Sequence, residues 1–306
     1  MDKRYHRIAV VPDPTVEQQP ALEKAARLAR DCGAKLDLIG VNYNEYIAGS
    51  RMGDAIDLEG ARDAMTDNRR DWLETIATPY RDDGVDIRCH ASFAHPLHQA
   101  ILDAAAELEP DLLVKDTHYH APLTRALFSH TDWELIRRCP IDLLLVKPAA
   151  WSSPITMLAA VDPMHEADDD NVLEHAILSR ARTLADKIGS QLHVVHACPL
   201  PIPAGVPGYT GLAVLDIDEF ESGIEQAHRN AVDKLVDNYK VDGVHIGTGP
   251  TPHCLIDFAD DLGADVMIIG ALSRSKLGQR FIGHTARRVL DRLPCDLLVV
   301  KAAQTD

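Results

Sequence analysis

The chain carries one pattern twice. Residues 111–147 and 265–301 align without a gap and are identical at 11 of 37 positions. Unrelated sequences of average composition agree at about one position in sixteen. The repeat therefore predicts two copies of one domain, at residues 1–148 and 153–306, joined by a short linker that contains Pro and Ser.

Each copy alternates apolar runs with amphipathic stretches in the order βαβαβαβαβ. Apolar runs such as 8–11 and 157–161 predict buried strands, and apolar residues at helical spacing from Leu22 to Cys32 predict a helix that Gly33 ends. Buried strands that alternate with helices are typical of a parallel sheet covered on both faces. We therefore expect an α/β fold of two tandem, doubly wound, five-stranded parallel-sheet domains.

The net charge, the apolar runs and the cysteines of the chain indicate which partners and which compartment to expect. Lys and Arg total 31 against 47 Asp and Glu, a net charge of −16, which repels nucleic acid and anionic membranes. No apolar run approaches the roughly 18 residues of a membrane span. The six scattered cysteines contain no C-x-x-C and indicate reduced thiols. We expect a cytoplasmic protein that neither binds nucleic acid nor inserts into a membrane.

The strand ends predict where a ligand would bind. In a doubly wound sheet, ligands lie beyond the carboxyl ends of the strands, at the point where the strand order reverses. The first and fourth strands flank this point, and they end near Asp13 and Asp116 in the first copy and near Asp162 and Gly270 in the second. The two copies therefore offer different chemistry at the same place.

The segment "GALSRSKLGQRFIGHTA" (270–286) follows the fourth strand of the second copy. Its glycines allow a close approach of the backbone to a phosphate, and the helix after it offers free N–H groups. Arg274, Lys276 and Arg280 add positive charge in an otherwise acidic chain. The residues alone leave two alternatives open, an anion-binding loop and a plain strand-to-helix connection.

With these motifs the chain resembles the universal stress proteins, and more narrowly the bacterial tandem-domain members, over essentially its whole length. The shared features are Asp-Pro after the first strand, Gly249-Pro250 before the third helix, the spaced small residues of the loop, and the closing strand "LPCDLLVVK". The resemblance implies an adenine nucleotide alpha hydrolase-like fold and a regulatory stress-response function that acts through a protein partner. It also implies association into a homodimer of two-domain chains.

The resemblance implies an ATP or ADP site in the second copy. Its expected cofactor-binding residues are Asp162, Ala197, Gly270, Ser273, Gly283, His284 and Thr285. Ser273 replaces the middle glycine of the family's loop, and the hydroxyl that follows the last glycine is shifted by His284 to Thr285. The alternative is a degenerate pocket that binds another anion or nothing. No nucleophile–base pair, Walker loop or Rossmann glycine motif is found, so any ATP hydrolysis is expected to be slow.

The first copy departs further from the family's loop. Its corresponding residues are Asp116, Tyr119, Ser129 and His130. A carboxylate at the place where backbone approaches a triphosphate repels it, and tyrosine fills the space. We therefore predict that this copy does not bind ATP in the family's manner.

Three histidines of the first copy suggest a metal site instead. His118 and His120 have a chelating spacing, and His130 returns at the start of the next helix, so these side chains with Asp116 predict a Zn²⁺ site. The alternatives are solvated loop histidines and, for His130, a helix cap shared with His284. A small-molecule or metal carrier that does not bind ATP is therefore the alternative function.

Two histidines of the second copy alternate with apolar residues along its second strand. His193 and His196 lie in "LHVVHA". Buried polar side chains in strands are generally hydrogen-bonded. We expect both histidines, and likewise His90 and His95 of the first copy, to be buried and hydrogen-bonded in the core rather than to be metal ligands.

Overall fold

The computed structural model of the protein describes residues 5–48, 58–117, 129–164, 171–199, 217–270 and 292–301. The chain divides into two compact units on either side of the peptide bond between Ala150 and Trp151. Within the described ranges, no helix is both long enough and apolar enough to cross a membrane.

The first unit is a five-stranded parallel sheet with helices between its strands. Its strands are β1 (Arg7–Val11), β2 (Lys35–Asn42), β3 (Ile87–Phe93), β4 (Leu112–Asp116) and β5 (Asp142–Val146). Its helices are α1 (Pro20–Cys32), α2 (Glu45–Ala48), α3 (Leu58–Asp82), α4 (Leu97–Leu108) and α5 (His130–Arg138). The strands lie in the order β3-β2-β1-β4-β5, so the order reverses between β1 and β4.

The second unit repeats this arrangement. Its strands are β6 (Thr156–Ala160), β7 (Gln191–Cys198), β8 (Gly243–Thr248), β9 (Val266–Gly270) and β10 (Asp296–Val300). Its described helices are α6 (Val172–Ile188), α7 (Ile217–Val236) and α8 (Thr251–Asp261). The order β8-β7-β6-β9-β10 reverses between β6 and β9. The predicted α/β fold with two doubly wound parallel sheets is confirmed.

Helices cover both faces of the sheet in the first unit. The helix α1 contacts β1 and β4, and α3 contacts β2 and β3, whereas α4 and α5 contact each other. Right-handed crossovers place α1 and α3 on one face of the sheet and α4 and α5 on the other. The apolar face of α1, including Leu22, Ala25 and Ala29, is buried, and Gly33 ends the helix with a φ of 67°, as its position after the periodic stretch predicts.

In each unit, an aspartate just before the fourth strand accepts hydrogen bonds from backbone nitrogens at the start of the first strand or just before it. In the first unit, Asp111 Oδ2 accepts hydrogen bonds from the backbone nitrogens of His6 and Arg7, at 2.7 and 3.0 Å. In the second unit, Asp265 accepts from the backbone nitrogens of Ser152 and Thr156, at 2.7 and 2.8 Å. These aspartates are an aligned pair of the repeat, so the sequence identity at this position has a structural cause.

A second aspartate, at the start of the fifth strand, holds an aromatic side chain that precedes the first strand. Tyr5 Oη donates to Asp142 Oδ2 at 3.0 Å, and Trp151 Nε1 donates to Asp296 Oδ2 at 2.7 Å. Both carboxylates are buried, at 1% and 2% exposure. Hydrogen bonds to buried charged groups contribute more stability than neutral ones. In each unit, this contact therefore fixes the segment before the first strand to the start of the fifth strand.

Replacing Trp151 with Phe is expected to lower the free energy of unfolding of the second unit by about 1–3 kcal/mol, because a buried carboxylate loses a donor. Tyr5→Phe is expected to act in the same direction on the first unit. Urea unfolding followed by circular dichroism measures both. Tyr46, which is 64% exposed, supplies the control, and a Tyr46→Phe loss as large as that of Trp151→Phe would contradict the assignment.

Candidate functional site

At the switch point of the first unit, where the strand order reverses between β1 and β4, the Asp116 side chain contacts the first turn of helix α1. The carboxyl ends of the paired strands β1 and β4 carry Asp13 and Asp116. Asp116 Oδ1 accepts a hydrogen bond from the backbone nitrogen of Ala21 at 2.9 Å, and Gln19 at the N-cap position makes no capping bond with its side chain. The carboxylate repels phosphate, and it also accepts from one of the backbone N–H groups that the start of α1 would offer to a phosphate.

The Asp116 carboxyl lies in an unfavourable place for a negative charge. It is 6% exposed, and among the described residues its Oδ2 has no hydrogen-bond partner. Burial is the main cause that raises the pKa of Asp116 to about 6. The Ala21 N–H and the charge of Lys115 oppose it, and Asp13 acts in both directions, because its charge raises the pKa and its backbone N–H lowers it. Part of the Asp116 population is therefore protonated in the physiological range of pH.

In the first unit, a buried ion pair connects the end of β4 to the start of α5, which are the two ends of the segment that corresponds to the family's nucleotide loop. Lys115 Nζ lies 2.8 Å from Asp132 Oδ1 and donates to the Asp116 carbonyl oxygen at 2.7 Å. Both side chains are buried, at 4% and 0% exposure. The pair holds the last residues of β4 against the first turn of α5, because Asp132 belongs to that helix.

Ser129 rather than His130 caps the helix α5. The Ser129 side chain accepts from the Asp132 backbone nitrogen at 3.2 Å, and Asp132 Oδ2 accepts from the Ser129 backbone nitrogen at 2.7 Å. This reciprocal arrangement is a capping box. The interpretation of His130 as the cap is therefore wrong, because His130 is already the first helical residue.

Only one of the three predicted metal ligands can be placed. His130 lies near His98 of α4, with 5.7 Å between the ring centroids, whereas His118 and His120 lie outside the described residues. Within the described ranges, no group of three His, Cys, Asp or Glu side chains could hold a metal ion. Zinc binding through His118, His120 and His130 stays a prediction.

In the second unit the switch point carries no carboxylate on the fourth strand. Asp162 follows β6 and is exposed, and Gly270 ends β9. A Cβ atom built on Gly270 would lie 2.6 Å from the Leu173 side chain of α6, so α6 packs closely on the strand end and a larger residue there would displace Leu173. Ala197 lies in the neighbouring strand β7. Ser273, Gly283, His284 and Thr285 of the predicted loop lie outside the described residues.

A pair of histidines connects three elements around this point. His196 of β7 is 2% exposed, and its Nδ1 lies 2.8 Å from the Val161 carbonyl oxygen. Its Nε2 lies 2.7 Å from Nδ1 of His228 on α7. The prediction of a buried, hydrogen-bonded His196 is confirmed. The prediction of burial is wrong for the other three histidines. His193 and His90 are only half-buried, although His193 contacts His245 at 3.1 Å and His90 contacts Asp37 at 2.8 Å, and His95 is exposed.

The tautomers of this His196–His228 dyad follow from its partners. A carbonyl oxygen only accepts hydrogen bonds, so Nδ1 of His196 carries the hydrogen. In the neutral ring Nε2 then accepts, and Nδ1 of His228 is the donor. Burial lowers the pKa of His196, partly offset by the Val161 carbonyl and by Asp162. The neutral dyad therefore joins the end of β6, β7 and α7.

The first unit has an arginine in the corresponding place. Arg69 and His228 each lie one turn before a fully buried residue of the helix, Leu73 and Val232. Arg69 packs over Gly40 of β2, where a Cβ would meet its Cγ at 2.8 Å, and its Nε donates to Asn42 Oδ1 at 2.8 Å. Burial lowers the pKa of Arg69, and Asp13 opposes this.

Sequence reasoning identified neither helical partner. Arg69 and His228 are polar residues on long amphipathic helices, and nothing in their periodicity separates them from solvated positions. The one available signal was Gly40, since a glycine inside a strand often marks the close approach of another group.

The comparisons with known proteins agree with this architecture. The family model described as the universal stress protein family matches residues 4–147 and 156–301. Universal stress protein E of Salmonella typhi is 28% identical over 301 residues, which cover 97% of this chain and 94% of that protein.

Two solved structures are also similar. A functionally unknown protein from Pseudomonas aeruginosa PAO1 has a TM-score of 0.74 at 25% identity and covers 97% of this chain and 93% of its own. A universal stress protein from Archaeoglobus fulgidus DSM 4304 has a TM-score of 0.65 at 13% identity and covers 97% and 98%, which shows the fold alone. Because the family model matches both halves of the repeat, the protein belongs to the universal stress protein family as a tandem-domain member.

Proposed function

We propose that the protein regulates a stress response according to the state of an adenine nucleotide site in its second unit. The nucleotide, ATP or ADP, would lie at the carboxyl edge between β6 and β9, beside Asp162, Ala197 and Gly270. The observation that carries this proposal is the presence of Gly270 where the first unit has the buried carboxylate of Asp116. Ser273, Gly283, His284 and Thr285 would complete the site around the ribose and phosphates.

The first unit would not bind phosphates in this way. Free N–H groups at helix N-termini are the usual phosphate donors of such a sheet. At the switch point of the first unit, Asp116 accepts from the start of α1, and Ser129 with Asp132 caps α5. The chain's own carboxylates therefore take the places that phosphate oxygens would need, and their negative charge repels phosphate.

The second unit lacks both of these internal anions. Gly270 has no side chain, and Ala286 stands in the sequence where the first copy has Asp132. This difference favours an external anion in the second unit only, and so one nucleotide per chain.

Asp162→Ala is expected to weaken ATP binding by the full chain about tenfold or more, because a nucleoside hydroxyl loses a charged acceptor. Isothermal titration calorimetry at pH 7.5 gives both the affinity and the number of sites. The side chain is exposed, so the fold should tolerate the change.

The matched control is Asp13→Asn in the first unit, which is expected to leave the ATP affinity within about twofold of the unaltered chain. Two sites per chain, or a loss of binding in Asp13→Asn but not in Asp162→Ala, would place the nucleotide elsewhere and overturn the proposal.

A further inference from the structure

The His196–His228 dyad occupies a position from which it can control the proposed nucleotide site. His196 directly precedes Ala197, and its Nδ1 donates to the carbonyl of Val161, which directly precedes Asp162. Asp162 and Ala197, which are expected to contact the nucleoside, therefore each follow a residue of the His196–Val161 hydrogen bond. His228 fixes the orientation of that ring from α7 at 2.7 Å.

The dyad tolerates one added proton but not two. In the neutral dyad, the Nδ1–H of His228 donates to Nε2 of His196. One additional proton, on Nε2 of His228, leaves this hydrogen bond intact. A second proton would place hydrogens on both facing nitrogens, so the bond would be replaced by the repulsion of two cations. Loss of the bond therefore requires a proton on Nε2 of His196, and burial lowers the pKa of this ring.

The surroundings of the dyad determine how acid acts on His196. Burial keeps the pKa of His196 below its usual value, and the charged groups acting on it are Asp162, at the end of β6, and His228 itself. The helix α7 also carries Glu225, which accepts from the Thr248 hydroxyl at 2.8 Å at the end of β8. A histidine with a lowered pKa stabilises the folded state above its unfolded pKa and loses that effect as the pH falls.

The first unit provides an internal comparison. There the corresponding helical side chain is Arg69, which donates to Asn42 Oδ1 and packs over Gly40. Arginine keeps its proton throughout the physiological range. The titratable connection is therefore particular to the unit with the proposed nucleotide site.

We propose that His228 is a positioning residue of the nucleotide site, acting through His196, and that the dyad makes nucleotide binding sensitive to acid. This inference rests on the proposed function, because it concerns regulation of the same site. The consequence is release of the nucleotide when the surrounding solution becomes mildly acidic.

Two substitutions separate positioning from plain stability. His228→Leu removes the donor and is expected to weaken ATP binding about tenfold at pH 7.5. His228→Asn keeps an N–H donor at the place of Nδ1 and is expected to bind ATP as the unaltered chain does. Because an amide can turn to present its oxygen, His228→Asn should also keep its partner when His196 becomes protonated.

The decisive measurement is the ratio of the ATP dissociation constants of the unaltered chain and His228→Asn, at pH 7.5 and at pH 5.0. The ratio cancels the titration of ATP itself. It is expected to be near one at pH 7.5 and to rise at least about twofold by pH 5.0, with circular dichroism showing folded protein in both samples. Arg69→Leu, the matched change in the first unit, should leave ATP binding unchanged.

The outcomes separate the two proposals. If the unaltered chain binds ATP at pH 7.5 but the ratio does not change with pH, or His228→Leu binds normally, the inference about the dyad is overturned and the proposed function stands. If the unaltered chain does not bind ATP at pH 7.5, the proposed function fails and the inference fails with it.

Discussion

Replacing Lys115 with Met is expected to lower the free energy of unfolding of the first unit by about 3–5 kcal/mol. Lys115 and Asp132 are both almost fully buried, and their charged atoms are 2.8 Å apart. Met fills a similar volume without a charge, so the change leaves the Asp132 carboxylate without its cation in a place that water does not reach. Calorimetric or urea unfolding of the full chain measures the loss, and the transition of the second unit serves as an internal reference.

A double substitution tests whether the cost comes from the unpaired charge. The second copy has Ile269 and Ala286 at the positions of Lys115 and Asp132. Lys115→Ile with Asp132→Ala should therefore recover about half or more of the stability lost in Lys115→Met, since no buried charge is left unpaired. Arg70→Met removes an exposed ion pair with Asp67 and is expected to cost under about 1 kcal/mol. A Lys115→Met loss as small as that of Arg70→Met would contradict the assignment.

Asp116→Asn is expected to stabilise the first unit at pH 7.5 by about 2 kcal/mol. The folded carboxyl has a pKa of about 6 against a reference value of 3.8. A raised pKa means that the stabilising effect of protonated Asp116 is complete below the unfolded pKa and is lost as the pH rises through the folded pKa. Asparagine has no charge to bury, and its oxygen can still accept from the Ala21 N–H.

The gain from Asp116→Asn should therefore depend on pH. It is expected to be close to zero near pH 4, to grow between pH 4 and pH 6, and to stay constant above that range. Urea unfolding of both proteins across this range measures it. Asp82→Asn, at an exposed position, is the control with an expected difference near zero. A gain that is the same at pH 4 and pH 7.5 would show that Asp116 does not titrate as described.

The internal repeat made most of the fold predictable. Apolar runs predicted the strands, Gly33 predicted the end of α1, and the alternation of elements predicted two parallel sheets. These features are local in sequence, so periodicity and turn residues specify them directly. The aspartates shared by both copies were visible as identities, but their hydrogen bonds were not.

The candidate site was less predictable because its contacts join distant parts of the chain. Asp116 was recognised as a charge at the switch point, yet its partner, the Ala21 N–H, lies 95 residues earlier. His196 was placed in the core correctly, whereas His228 lies on a helix 32 residues later. Local pattern specifies which face of an element is buried, but it does not say which polar side chain of a neighbouring helix will reach that face.

The aromatic contact before each first strand has a consequence for how the chain arose and how it can be divided. Trp151 is the first residue of its unit and already donates to Asp296, just as Tyr5 donates to Asp142. A duplicated segment, or a fragment made for study, that started after Trp151 would remove the indole from its own fifth strand. A duplicated segment that included Trp151 would carry both partners of this hydrogen bond. The residues at the carboxyl ends of the strands in each copy could then diverge without loss of the shared fold.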